Sequence, residues 1–161
     1  MRVITIGIAE SQISKSPDKI VTLGLGSCVG LVLYDPAAKI GGMVHIMLPT
    51  APKGTDATNK YKFADTGIAE LIRAMVASGA ARARLAAKAA GGAHMFNTNY
   101  NTDVMNVGQR NIEMCRKVLK ENAIAIVAED MGGTSGRSIE FCCSSNALQI
   151  RTVSPRAVKY I

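Results

Sequence analysis

With 161 residues, 48% of them hydrophobic and 19% charged, the chain is long and apolar enough for one domain with a sizeable core and is not disordered. Its formal net charge of +7, from 19 Lys and Arg against 12 Asp and Glu, favours acidic partners, although no run of like charges gathers it. Four Tyr, three Phe and no Trp leave few rings to stack on bases, so nucleic-acid binding is not expected.

No segment approaches the ~20 apolar residues of a membrane helix, and Met1–Glu10 lacks a signal-peptide core and cleavage site. Membrane insertion is not expected, and the expected location is cytoplasmic. Cys28, Cys115, Cys142 and Cys143 form no Cys-x-x-Cys pair and no Cys/His cluster with zinc spacing, so neither a disulfide framework, a metal nor another cofactor is expected.

In chain order, residues 2–8 read as a strand and 19–23 as a second, short one. Val29–Tyr34 and Gly42–Leu48 are apolar, β-prone runs on either side of Asp35-Pro36-Ala37-Ala38-Lys39. Asp and Pro suit the first two positions of a type I turn, so the runs are expected to pair as a hairpin. Residues 50–62 are polar and read as a loop. Ile68, Leu71, Ile72, Met75 and Val76 then form the stripe of an amphipathic helix, with Asp65 or Thr66 to cap its start and Gly79 to end it. Arg84–Ala90 reads as a strand stopped by Gly91-Gly92, and the Asn-rich stretch 97–106 as a loop. A second helix is expected over Val107–Glu121, burying Ile112, Cys115, Val118 and Leu119, with cations in its last turns. Three strands, Ala123–Ala128, Arg137–Cys143 and Ala147–Val153, close the chain. No linker or repeat divides residues 1–161, which read as one α+β domain with a mixed, largely antiparallel sheet and two main helices.

The hairpin carries the candidate chemistry. A turn centred between Pro36 and Ala37 sets Leu33 opposite Ile40 and Cys28 opposite His45. Opposed residues share a face, with Cβ atoms about 4.5–5.5 Å apart, so an imidazole nitrogen reaches a sulfur. A thiol with a free pKa of about 8.5 needs such a base to become a strong nucleophile. A slip of one residue would turn the two side chains to opposite faces. The approach Thr22-Leu23-Gly24-Leu25-Gly26-Ser27-Cys28 adds two glycines, which let backbone come close to a substrate. Gly26 and Ser27 are the candidate substrate approach, with the Cys28 N–H as first donor to an oxyanion. Thr22 is the candidate third member, orienting the imidazole. A bland alternative stands beside this: a buried, inert cysteine, and a core histidine between Val44 and Ile46.

Thr22-Leu-Gly-Leu-Gly-Ser-Cys28-Val-Gly-Leu-Val-Leu-Tyr-Asp-Pro36, followed by Gly41-Gly-Met-Val-His45-Ile-Met-Leu-Pro49, resembles the signature of the CheD family, the chemoreceptor glutamine deamidases of bacterial and archaeal chemotaxis. Gly91-Gly92-Ala93-x-Met95-Phe96, Gly108-x-Arg110-Asn111 and Gly132-Gly-Thr-Ser-Gly-Arg137 extend the resemblance over nearly the whole chain. It implies an α/β sandwich related to toxin deamidases and cysteine-protease-type folds, with Cys28 as nucleophile, His45 as base and Thr22 as the third residue. It implies methyl-accepting receptors as substrate, through a Cys28 thioester; the same acyl-enzyme logic would accept a glutamyl methyl ester, so methylesterase activity is a secondary expectation. It also implies binding to CheC, a phosphatase of the response regulator CheY, so the alternative function is a regulatory module that stimulates CheC. His94 falls inside a matched motif and is given no role.

Gly132–Gly136 lacks the following Lys-Ser/Thr and helix of a phosphate loop and reads as a hairpin turn. Cys142 and Cys143 are strand neighbours that must face opposite sides. The scattered methionines, Met43, Met47, Met75, Met95, Met105, Met114 and Met131, read as gap fillers of the core, with a few at a partner surface.

Overall fold

Val29–Asp35 and Ile40–Ile46 are buried at every position. Strands of that kind need cover on both faces, and the architecture supplies it. The computed structural model describes residues 1–54, 59–95 and 106–161. In chain order the elements are β1 (Val3–Ile6), β2 (Ser11–Lys15), β3 (Lys19–Leu25), β4 (Val29–Asp35), β5 (Ile40–Ile46), α1 (Ala64–Ala77), β6 (Ala86–Gly91), α2 (Val107–Glu121), β7 (Ile126–Met131), β8 (Arg137–Cys142), β9 (Leu148–Val153) and β10 (Arg156–Tyr160). The strands form two five-stranded sheets, β1-β3-β8-β9-β10 and β2-β5-β4-β6-β7. Pairs β1/β3 and β6/β7 are parallel and the others antiparallel.

The central strands divide their side chains between two cores. Val29, Leu31 and Leu33 face Ile68, Leu71, Met75, Ile112 and Leu119 of the helices. Val32, Tyr34 and Met43 face Ile20, Leu25, Ile139, Phe141 and Ile150 of the other sheet. The layers are therefore sheet, sheet and helices. Gly30 sits on the inter-sheet face, where a Cβ would come 2.5 Å from Ile139 Cδ1. This close approach brings β3 within hydrogen-bonding reach of β5.

The hairpin forms, but in another register. Asp35 pairs with Ile40, so Gly30 and not Cys28 lies opposite His45. The reason is the buried Asp35 carboxylate. It accepts from the Ala37, Ala38 and Ala81 N–H groups and from both arms of Arg84, which closes a four-residue loop, Pro36–Lys39, instead of a tight turn. The displacement is two residues along the strand, so Cys28 and His45 keep one face and become diagonal neighbours.

Other expectations change in detail. Helix α1 is capped by Phe63 without a side-chain bond, and Val76, at the edge of the expected stripe, is 43% exposed. Strand β7 starts at Ile126, because Ala123 takes a left-handed conformation in the turn after α2. Strands β2 and β10 have no counterpart in the sequence reading, and β10 is exposed throughout. Gly132–Gly136 is not a hairpin turn: it joins β7 of one sheet to β8 of the other. Met43 and Met75 fill the cores, whereas Met47 and Met95 are exposed. The loop expected at 97–106 lies, apart from Asn106, outside the described residues, as do Phe96, Met105 and part of the 50–62 loop. Among the described residues no helix is long and apolar enough to cross a membrane.

Candidate active site

His45 lies in β5, 1% exposed, and its ring reaches across the inter-sheet seam. There Thr22 Oγ1 of β3 stands 2.7 Å from His45 Nδ1 and 2.9 Å from the carbonyl oxygen of Ile6. Ile6 pairs with Thr22 across the parallel β1/β3 ladder. A carbonyl only accepts, so the one hydroxyl proton of Thr22 goes to Ile6. Thr22 Oγ1 can then only accept from the ring, which puts the imidazole proton on Nδ1 and leaves the Nε2 lone pair free. Nε2 is buried and has no hydrogen-bond partner among the described residues. Burial lowers the His45 pKa, so the ring stays neutral, as a general base must be before it acts.

Between Thr22 and Leu25 the β3/β8 pairing slips by one residue, with Gly24 at φ 69°. This bulge lets both Thr22 and Leu25 point inward and bends the chain away from β8. Gly26 and Ser27 then lead to Cys28, at the mouth of β4. Three successive carbonyls here are held. Gly26 O accepts from Ala93 N–H at 2.9 Å, Ser27 O from Asn111 Nδ2 at 2.9 Å and Cys28 O from Gly92 N–H at 2.8 Å. Gly91 sits so close, at φ 112°, that a Cβ would collide with the Cys28 carbonyl.

The Cys28 side chain is half-buried and packs on the inter-sheet core. Burial raises its thiol pKa, and its own backbone N–H offsets part of that rise. Both shifts favour neutral thiol and neutral imidazole over an ion pair in the unliganded protein. Cys28 Sγ and His45 Nε2 make no hydrogen bond here. Catalytic contacts of this kind are often long without substrate and tighten when it binds.

Beside Gly26 opens a groove of about 470 Å³, walled by Gly24, Met95, the 134–137 segment and Arg151. Its far wall is tied down by Arg137, whose guanidinium donates to Gly132 O at 2.7 Å, Gly91 O at 3.2 Å and Asp130 Oδ2 at 3.3 Å. His94 contributes its backbone N–H to Gly133 O. Among the described residues no group of three or more His, Cys, Asp or Glu side chains is placed to hold a metal ion.

Thr22 and His45 are thus in direct contact, with Gly26, Ser27 and Cys28 on the adjoining turn. Two residues of the surroundings went unassigned in the sequence: Asn111 and Arg137. Asn111 holds backbone carbonyls of distant segments, and Arg137 holds carbonyls of Gly91 and Gly132 beside the Asp130 carboxylate; such contacts leave no spacing pattern. Their place in two of the motifs quoted above was the available signal.

The sequence has relatives throughout one group of chemotaxis proteins. A family model described as CheD chemotactic sensory transduction matches residues 47–152. A protein of Caldanaerobacter subterraneus subsp. tengcongensis, named probable chemoreceptor glutamine deamidase CheD, is 51% identical over 160 residues, 99% of this chain and 98% of that one. The chain belongs to the CheD family. It is 48% identical to the chemoreceptor glutamine deamidase CheD of Halalkalibacterium halodurans over 152 residues, covering 94% of each protein. The CheD family match contains Asn111 and Arg137, while Thr22, Cys28 and His45 precede it and lie within the span shared with the Caldanaerobacter relative.

Two solved structures share the fold. One is Neisseria meningitidis protein NMB0706, with a TM-score of 0.54 and 8% identity over 88% of this chain and 75% of that one. The other is the hypothetical protein YfiH of Bacillus licheniformis, with a TM-score of 0.50 and 14% identity over 75% of this chain and 49% of that one.

Proposed function

We propose that this chain is a protein-glutamine deamidase, an amidohydrolase acting in the cytoplasm on methyl-accepting chemotaxis receptors, with Cys28 as nucleophile, His45 as base and Thr22 as the residue that orients the base. One observation carries the site assignment: Thr22, committed to Ile6 O, holds the ring proton on Nδ1 and leaves Nε2 free as acceptor on the face of Cys28. The names of the relatives supply the substrate class.

In the proposed reaction His45 Nε2 takes the Cys28 proton and the thiolate attacks the γ-carboxamide carbon of a receptor glutamine. The Cys28 N–H stabilises the resulting oxyanion. Collapse breaks the C–N bond, and His45 returns its proton to the leaving nitrogen, which departs as ammonia. Water then attacks the thioester while His45 takes one of its protons. The expelled thiolate takes that proton back from His45, which restores the thiol, and the product carboxyl ionises to glutamate. A glutamyl methyl ester would follow the same path with methanol as leaving group. The net charge of +7 would steer the protein toward a Glu-rich receptor surface. Residues 1–161 are proposed to act as one domain, since the site draws on β3, β4, β5 and α2. CheC is a proposed binding partner on the family resemblance.

The test is mass spectrometry of a receptor cytoplasmic fragment incubated with wild-type or Cys28→Ala protein. Glutamine-to-glutamate conversion by the wild type alone is expected. Conversion by both proteins, or by neither, contradicts the proposal. Retention of every cellular function by Cys28→Ala would favour the regulatory module that stimulates CheC.

A further inference from the structure

Of the three carbonyls held around the nucleophile, two are held by backbone. Gly26 O and Cys28 O accept from Ala93 and Gly92, on the segment that follows β6. The middle one, Ser27 O, is held by a side chain: Asn111 Nδ2 at 2.9 Å. The same nitrogen donates its other proton to Met47 O at 3.1 Å, two residues beyond His45. Asn111 is 0% exposed, in the second turn of α2. Its Oδ1 is buried with no hydrogen-bond partner among the described residues. Helix α2 is pressed against this corner, because Gly108 lies where a Cβ would come 2.5 Å from Ala93 O and 2.7 Å from Gly92 O.

The Ser27–Cys28 peptide is trans; among the described residues the cis bonds are Ser16-Pro17 and Ser154-Pro155. In a trans peptide the carbonyl and the N–H point in opposite directions. A hand on the Ser27 carbonyl therefore sets the direction of the Cys28 N–H. We propose that Asn111 is a positioning residue of the active site: by holding Ser27 O on the α2 side it fixes the Cys28 N–H on the thiol side, where it serves the oxyanion, and through Met47 O it ties that peptide to the strand that carries His45. This inference rests on the assignment of Cys28 as nucleophile made above.

The chemistry of the amide fits the task. One NH₂ group supplies two donors to two carbonyls at once. Asp in its place would set a charged acceptor against both carbonyls, and Ala would supply no donor. The Cys28 N–H also favours the thiolate, offsetting part of the rise that burial brings. Loss of the tie frees the Ser27–Cys28 peptide to rotate, which removes an oxyanion donor and leaves the sulfur in place.

The test compares two reactions at Cys28 in the full chain, each adduct mapped by peptide mass spectrometry. Acetyl transfer from p-nitrophenyl acetate passes through an oxyanion, and alkylation by iodoacetamide does not. In Asn111→Asp the acylation rate and the kcat for receptor deamidation are expected to fall about 10²-fold, with KM and the limiting high-pH alkylation rate within about two-fold of wild type. In Asn111→Ala the pH profile of alkylation is expected to move upward as the N–H turns from the sulfur. Acylation and alkylation falling in parallel, or acylation unchanged, would overturn the proposal, as would loss of cooperative melting in both variants. A wild type that is acylated at Cys28 yet leaves receptor glutamines unchanged refutes the proposed substrate instead, and the ratio of acylation to alkylation still decides the role of Asn111.

Discussion

His45 and Cys28 share one face of a strand pair, yet they are held in opposite ways. His45 is buried in mid-strand between two sheets, and its ring is fixed by a side chain, Thr22, that answers in turn to Ile6 O. Cys28 stands at a strand mouth, half-exposed, and what is fixed there is its backbone, by Ala93, Asn111 and Gly92. The proposed base is thus built into the core, where tautomer and orientation are set in advance. The proposed nucleophile is placed where a bulky protein substrate can reach it. The division also explains the neutral resting state: burial acts on both groups, lowering one pKa and raising the other.

The largest effect should come from removing the base. His45→Gln is expected to lower kcat for receptor deamidation about 10⁴-fold, measured by mass spectrometry, while Cys28 remains open to alkylation. Next is the residue that sets its tautomer. Thr22→Val keeps the shape and loses the acceptor for Nδ1–H, with an expected fall of about 10²-fold in kcat, whereas Thr22→Ser should stay within about ten-fold of wild type. Recovery of full activity in Thr22→Val would show that the seam alone orients the ring.

A third change acts on the seam itself. Gly30→Ala drives a Cβ into Ile139 and should cost about 1–3 kcal/mol in denaturant unfolding, with a parted Thr22–His45 contact and reduced kcat. The smallest effects are pH dependences. The folded pKa of His45 lies below its ordinary value of about 6.5, so the unfolded state binds more protons in the window below that value. The neutral ring's contribution to stability is therefore complete above about pH 6.5 and declines as pH falls toward the folded pKa. For Cys142, burial raises the thiol pKa, but hydrogen bonds from Ser144 and Ser145 outweigh it and bring the value down to about 7. Iodoacetamide should therefore label Cys142 ahead of Cys28 at neutral pH in the unliganded protein, and Cys28 should gain on it as pH rises. Faster labelling of Cys28 at neutral pH would mean that His45 already holds its proton.

The central strands, α2 and the face of α1 were legible because burial imposes a period. The apolar runs that became β4 and β5 and the stripe of Ile112, Cys115, Val118 and Leu119 are direct prints of the cores they fill. Strands β2 and β10 were not, because each lies at a sheet edge and is mostly polar, with no apolar run to mark it. The hairpin register was misjudged because Asp35 takes its partners from Ala81 and Arg84, far along the chain. In the site, Cys28, His45 and Thr22 were all nameable as candidates from the residues, but the register that set Cys28 directly opposite His45 was not the one that forms: Gly30 takes that place. Asn111 and Arg137 were passed over as actors because both hold backbone carbonyls, whose positions emerge only when the chain folds. The split of the glycine segment 132–136 between two sheets was hidden for the same reason.

The most direct test of the account is the site of the covalent intermediate. A glutamine-bearing receptor fragment, mixed with the protein and quenched in acid during turnover, should yield a thioester adduct whose digestion places it on Cys28, with conversion abolished in Cys28→Ala. An adduct on Cys142, or conversion that persists in Cys28→Ala, would contradict it.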